Sequence, residues 1–515
     1  MAEALRLLLI TIFAFVGCES SNILGVFILP LKSHHIVFRP LMLELARRGH
    51  DVTVITTDPA YPKGQSPQNL TEIDLHEISY KYWNNFFAQI GSEKDSKVYF
   101  KKVYNLILNL ITTQLNTPEV QDLLKKKKVF DLIFTETCAR PSLVYSAIYK
   151  APVIEISTLS GVFSAFETIG AATHPLIYPN PLHRRVYNLT IWEKLSELYQ
   201  HYFMENAFEQ HMNDENKLLN TIKGLEEFDI DNVRRNIQML FLNVNPIWDF
   251  NRPVPPNVVY LGGLHLTPPK ELPKDLKSYL DSSKNGVIYV SFGTNVKSSM
   301  MPYDKLKIFT DVFSQLPYDV LWKWDNDDLP GRPKNIKISK WLPQPDLLRH
   351  QKIKVFITQG GLQSTSESLK AGVPLIGVPI LSDQYFNVEQ YLKFNIGKRI
   401  LLETMTHEEL RDTITSVIND DSYRQNVVML NNIMNDQPQQ PLERAVWWTE
   451  YVLRHGGRTN LRASGAGVAW TEYYELELVI TLWAVLISIL IFIVLAVKLI
   501  LIVIKCQKRL NLKLD

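Results

Sequence analysis

Between residues 354 and 378 the chain runs through a buried strand, a glycine turn, a helix, a glycine stop and a second buried strand, an order that few folds accept. Residues 354–358 are an apolar run of strand length, Gly360 and Gly361 let the backbone turn sharply, and Leu362–Ala371 suits a helix that Gly372 and Pro374 end. Two such strands joined by a helix belong to an α/β domain with a parallel sheet. The turn also points the N–H groups of the helix's first turn outward, beside the positive end of the helix dipole, where a diphosphate can bind. Polar residues cluster where a ligand held there would need them. Gln359 closes the strand, Gln363 and Ser364 open the helix, and Glu367 lies one helical turn beyond Ser364, placed to accept hydrogen bonds from ribose hydroxyls. Upstream, Trp341 offers a flat face for a base and Gln344 a two-way amide for its edge. Downstream, Asp383 and Gln384 follow the second strand with groups suited to sugar hydroxyls.

The same alternation of strand-like and helical runs fills both halves of the chain. In the first half the strand-like runs are 23–30, 51–56, 130–135, 151–157 and 239–245; in the second they are 258–262, 287–292, 320–324, 336–341, 355–358 and 375–378. Residues 251–257, Asn-Arg-Pro-Val-Pro-Pro-Asn, are a proline-rich connector and the natural hinge. The expected fold class is therefore α/β, with two Rossmann-like domains facing a cleft, at 22–250 and 258–440, and a closing segment at 441–477.

The ends place the chain in a compartment. Residues 1–21 carry Arg6, an apolar run and small residues before Ser21, the pattern of a secretory signal peptide. Residues 478–497 are uncharged and apolar, with apolar character continuing to about 504, long enough for one membrane-spanning helix. Acidic residues precede this segment, and the basic tail at 505–515 follows it, which predicts a single-pass type I protein with its bulk in the lumen. Of three cysteines, Cys18 leaves with the signal and Cys506 lies on the cytosolic side, so Cys138 has no lumenal partner for a disulfide. Asn69 and Asn188 stand in glycosylation sequons. The net charge of +2 gives no nucleic-acid signal, and the lysine run at 125–128 reads as a solvated helix end.

A chemistry that moves a proton needs a base. Ser33-His34-His35 sits directly after the first strand, at the mouth of the first βα turn, and a histidine there titrates near the working pH. The strand reading FDLIFTE ends in Glu136, a carboxylate that can orient an imidazole. Glu155 suits the surface. Thr294, in the turn Ser-Phe-Gly-Thr, adds a small hydroxyl beside a glycine. The Asp-x-Asp patterns at 229–231 and 325–327 lie outside these clusters and read as loop acids, so no metal ligand is assigned.

Taken in order, Trp341, Gln344, the Gln359-Gly360-Gly361 turn, Gln363, Ser364, Glu367, Asp383 and Gln384 resemble the signature of the UDP-glycosyltransferase family. These are membrane-bound enzymes that glycosylate small lipophilic molecules, and insect members often carry QGG where mammalian relatives carry HGG. The resemblance implies the GT-B fold and an inverting transfer of a hexose from a UDP-sugar. UDP-glucose is the donor expected of an insect-type member, and UDP-glucuronate of a mammalian one. Because the family's catalytic histidine follows a serine before a segment like PLMLELARRGHDVTVI, the resemblance selects His34 as general base. It makes Glu136 the acid paired with it, where mammalian relatives usually carry aspartate, and sets Thr294 against the diphosphate. Gln359 departs from the mammalian histidine and brings no positive charge. Tyr80, Tyr82, Trp83, Phe86 and Phe87, with residues 103–115, fall where the family receives its acceptor. The segment from Pro441 would return across the first domain. No cofactor or metal is expected. The expected partners are the UDP-sugar, a lipophilic acceptor and membrane lipid, with a homo-oligomer compatible, and the expected location is the endoplasmic reticulum membrane. The alternative is a catalytically silent member that binds a UDP-sugar or a lipophile.

Overall fold

Strands that bury both faces need helices on both sides, and the computed structural model arranges them so twice. It describes residues 20–90, 96–222, 228–294, 297–457 and 460–511. Most of the expected signal peptide at 1–21, with Cys18, lies outside these residues, as do Asn295 and the side chain of Phe87. The first sheet contains β1 (Asn22–Phe27), β2 (Asp51–Thr56), β3 (Leu70–Asp74), β4 (Leu132–Glu136), β5 (Val153–Ser157), β6 (Ile237–Leu242) and β7 (Val258–Tyr260). They lie in the order β3-β2-β1-β4-β5-β6-β7, all parallel, with β1 in register on β2 from Asn22↔Asp51 to Phe27↔Thr56. The second sheet contains β8 (Val287–Ser291), β9 (Asp319–Lys323), β10 (Ile336–Ser339), β11 (Ile353–Thr358), β12 (Leu375–Gly377) and β13 (Gly397–Arg399). It is also parallel, in the order β10-β9-β8-β11-β12-β13.

In each sheet the strand order reverses once, between β1 and β4 and between β8 and β11. At such a switch point the loops leaving the carboxyl ends of the two strands part in opposite directions and open a crevice, where open α/β sheets bind their ligands. Glu136 ends β4 at the first crevice, and the Gly360-Gly361 turn follows β11 at the second.

Helix α1 (Lys32–Arg47) follows β1 and buries Val37, Phe38, Leu41, Met42 and Leu45, one apolar stripe at helical spacing. The first half also contributes α2 (Ser96–Leu115) and α3 (Ile191–Leu219), and the second α4 (Leu362–Ala371) and α5 (Gln384–Lys393). Helix α6 (Pro441–Arg454) returns to the first sheet, where Ala445, Val446 and Val452 enter the same core as Ile23, Val37 and Leu41.

One boundary differs from the sequence reading. Residues 258–260 were assigned to the second domain, with 251–257 as a hinge, yet Val258, Val259 and Tyr260 pair with Leu240, Phe241 and Leu242 as the last strand of the first sheet. The intervening loop is packed: Arg252 is buried against Asp249 and lies 3.9 Å over the Phe166 ring, and Asn257 is fully buried. The two valines and the tyrosine extend the edge that β6 leaves open instead of starting the second sheet. The crossing to the second sheet comes after β7, in the segment that leads to β8. Glu155, read as a surface group, is buried within β5, and burial pushes its carboxyl up to about 7.

Residues 463–515 form a separate unit. Its helix α7 (Leu476–Asn511) includes a stretch, Leu476–Gln507, long and apolar enough to cross a membrane, and its apolar side chains are exposed.

Candidate active site

The first turn of α1 is set by the His34 N–H, which donates to the Leu31 carbonyl at 2.8 Å. This turns the His34 ring towards the end of β4, where its Nδ1 is hydrogen-bonded to the Glu136 carboxylate. Glu136 is buried (1% exposed), whereas the His34 side chain is 17% exposed. An ionised carboxylate only accepts, so the ring carries its proton on Nδ1 and presents a lone pair at Nε2. The neighbouring His35 is a core residue. Its ring meets the Leu29 carbonyl at 3.0 Å, Thr57 Oγ1 at 2.9 Å and Thr56 Oγ1 at 3.1 Å, and burial lowers its pKa. Adjacent in sequence, the two histidines point to opposite environments because successive helical positions are about 100° apart.

Across the cleft, burial raises the pKa of the Asp383 carboxyl, and a positive charge on His34, when the ring is protonated, opposes that rise. Asp383 accepts from Asn387 Nδ2 at 2.7 Å and from the Leu362 N–H at the start of α4. One N–H group of the helix's first turn therefore orients the Asp383 carboxylate.

The second crevice needs its glycines. Gly360 has φ +92°, and a Cβ there would stand 2.7 Å from Val388 Cγ2. Gly293, with φ +79°, packs directly on the Gln359 amide, leaving no room for a side chain. Gln359 is buried, and its Oε1 has no hydrogen-bond partner among the described residues. Thr294 is exposed on the same turn.

Three expected ligand groups are engaged with protein. Gln344, expected at the edge of a base, donates from Nε2 to Ser364 Oγ at 2.9 Å and Glu367 Oε2 at 2.7 Å, and its Oε1 accepts from the Tyr289 hydroxyl. It therefore orients Glu367, whose carboxyl burial pushes up to about 7 against that hydrogen bond. Gln363 donates to the Thr158 carbonyl of the first domain at 3.1 Å. Gln384 accepts the N–H groups of Ile380 and Leu381 and shapes the loop before α5. The Asp-x-Asp residues are structural: Asp229 caps a short helix, Asp325 accepts from Ser299, and Asp327 pairs with Lys340.

Sequence reasoning missed three side chains. Asn387 gives its Nδ2 to Gly360 O as well as to Asp383, and its Oδ1 accepts from Trp248 Nε1 at 2.9 Å, joining the turn, the acid and the first domain. Its place four residues after Asp383, one turn along α5, was the available signal. The other two are Lys32 and Lys323, whose ammonium groups lie 4.0 and 5.0 Å from the Trp341 ring. Lys323 Nζ also donates to the Gly293 carbonyl at 2.7 Å, and burial, aided by the charge of Lys32, lowers its pKa to about 8. No motif announces either lysine.

Asn69 and Asn188 are exposed at positive φ, the first in a turn and the second in a bend. Thr190, the hydroxyl of the second sequon, closes a capping box with Glu193 at the start of α3. Tyr80 bonds Asp58 at 2.9 Å, while Ile107, Leu110, Ile111 and Leu115 belong to the core.

Residues 25–511 match the family described as UDP-glucoronosyl and UDP-glucosyl transferase. The chain is 34% identical over 498 residues to an ecdysteroid UDP-glucosyltransferase of Spodoptera littoralis nuclear polyhedrosis virus, covering 92% of this chain and 96% of that protein. It is 30% identical over 482 residues to UDP-glucosyltransferase 2 of Dactylopius coccus, covering 92% of each. Among solved structures, the glycotransferase of kitacinnamycin superimposes with a TM-score of 0.58 at 16% identity, over 84% of this chain and 99% of that one. Os79 from O. sativa, in complex with U2F and trichothecene, gives 0.56 at 14% identity, over 84% and 100%. At these identities the structures speak for the fold alone, the GT-B arrangement of two Rossmann-like sheets.

Proposed function

The chain belongs to the UDP-glucoronosyl and UDP-glucosyl transferase family and is a UDP-glycosyltransferase; from that premise we propose that it transfers glucose from UDP-glucose to a hydroxyl of a small lipophilic acceptor, with inversion and with His34 as general base. The observation that carries this reading is the His34–Glu136 pair at the first switch point. The acceptor O–H gives its proton to His34 Nε2, the oxygen attacks the anomeric carbon, and the bond from that carbon to UDP breaks. Glu136 holds the Nδ1–H and favours the imidazolium as it forms. Asp383, steadied by Asn387, takes sugar hydroxyls; the start of α4 and the Lys323 ammonium face the departing diphosphate, and Lys323 supplies the charge that Gln359 lacks. The relatives named as UDP-glucosyltransferases support glucose as the donor sugar. The reaction so written uses no metal or cofactor. The apolar helix α7 supports anchoring beside membrane-dissolved acceptors, and we place the catalytic domains in the lumen of the endoplasmic reticulum.

The test is transfer from UDP-glucose to a panel of phenolic and steroidal acceptors, read by mass spectrometry. His34→Ala should lower kcat by roughly a hundred- to ten-thousand-fold, about 3–5 kcal/mol of transition-state stabilisation, while UDP still binds. Wild-type rates in the variant would remove His34 from the mechanism. UDP binding without turnover of any acceptor would favour a silent binding protein.

A further inference from the structure

We propose that His34, Glu136 and Cys138 form a site for a soft divalent cation such as zinc, and that a cation bound there switches the transferase off. An imidazole nitrogen, a carboxylate oxygen and a thiolate sulfur are the three donor types that zinc prefers. Here their ligand atoms all lie within 4.8 Å of one another. Ligands of a tetrahedral zinc ion, with bonds of about 2.0–2.3 Å, stand about 3.3–3.7 Å apart, a spacing that small side-chain rotations reach. The three groups come from stiff backbone: the first turn of α1, the last residue of β4, and the turn that the Ala139 N–H closes onto the Glu136 carbonyl at 3.0 Å. Glu136 already accepts from both neighbours, from the His34 ring and from the Cys138 thiol. A cation entering between them takes the place of those two hydrogen bonds.

The loss of activity follows from where the protons go. When Nδ1 binds the metal through its lone pair, the single proton of the neutral ring moves to Nε2, and the thiol proton passes to solvent as the metal–sulfur bond forms. Nε2 then donates where it had accepted, so it cannot take the proton of an acceptor hydroxyl. Transfer stops although donor and acceptor can both still bind. This switching step rests on the reading of His34 as the base; cation binding does not. The thiol has no part in the transfer chemistry, which makes it the handle for the test.

The experiment uses the full-length chain in detergent, freed of metal by a chelator. Cobalt(II) should produce a thiolate-to-metal charge-transfer band that saturates at one equivalent per chain. The band should persist in Cys506→Ser and vanish in Cys138→Ser, which keeps a hydroxyl beside Glu136 and should transfer glucose at the wild-type rate without metal. Zinc should inhibit the wild type at concentrations at least roughly ten-fold below those needed for Cys138→Ser, reversibly on chelation. An unchanged cobalt band in Cys138→Ser, or equal zinc sensitivity of the two proteins, would overturn the proposal. His34→Ala assayed in chelator tests the base separately. Undiminished transfer there sinks the base reading and with it the switch, while the cobalt band alone decides the site.

Discussion

At the scale of residues, burial tunes the charged groups of the site. Glu367 and Lys323 have pKa values pushed towards neutrality, to about 7 and about 8, both by burial. The signs fix a window. A raised carboxyl is ionised only above about 7, and a lowered ammonium is charged only below about 8. A donor that needs the carboxylate for its ribose hydroxyls and the ammonium for its diphosphate therefore meets both only between those values. The KM for UDP-glucose should rise on either side of this window, measured at saturating acceptor. Glu367→Gln should abolish the acid limb and keep the alkaline one; an acid limb that survives this substitution would exclude Glu367 as its source. The residue types at the two crevices were legible in the sequence because each follows a recognisable strand end. Their partners were not. Gln344 looked like a ligand to a base and instead steers Glu367, and Asn387 carried no motif although it ties Asp383 to Gly360 and Trp248.

At the scale of elements, the turn that carries Glu136 is tied to a distant helix. Arg140, just beyond β4, donates to the Glu215 carboxylate of α3 at 2.9–3.2 Å and to the Phe208 carbonyl at 2.6 Å, and it lies 3.9 Å over the Phe208 ring. Tyr104 of α2 also donates to Glu215, so one buried carboxylate clamps α2, α3 and the loop after β4. Burial pushes the Glu215 carboxyl up to about 9, so Arg140→Met would leave a buried carboxyl without its hydrogen-bonded cation and should destabilise the protein by about 3–5 kcal/mol, read in thermal denaturation. The double variant Arg140→Met/Glu215→Gln should recover part of the loss; no recovery would mean that the packing of the arginine, not its charge, matters. Helix α4 was legible to the residue, because the Gly360-Gly361 turn and the left-handed Gly372 are local backbone requirements. Strand β7 was misassigned because the sheet that a three-residue apolar run joins depends on which edge lies open, here that of β6.

At the scale of the whole molecule, the catalytic sheets and the apolar helix are separable in the chain, with the second unit beginning at Ala463. The stretch Leu476–Gln507 is 32 residues, about 48 Å of helix against a hydrocarbon core of about 30 Å, enough to cross and continue into the polar margin. A chain ending at Tyr474 should pass into the supernatant of an alkaline carbonate wash and still bind UDP, while the full chain pellets with membrane; release of both would remove α7 as the anchor. The sequence by itself determined the α/β class, the doubled architecture, the glycine turn and the long apolar C-terminal helix. Each rests on local signals: hydrophobic period, backbone freedom at glycine, and the length of an uncharged run. Only the tertiary structure decided that His35 enters the core, which lysines lie against Trp341, and which sheet receives Val258–Tyr260. Those outcomes depend on packing between segments that meet only in the folded chain, and no local pattern encodes which segment a side chain will meet.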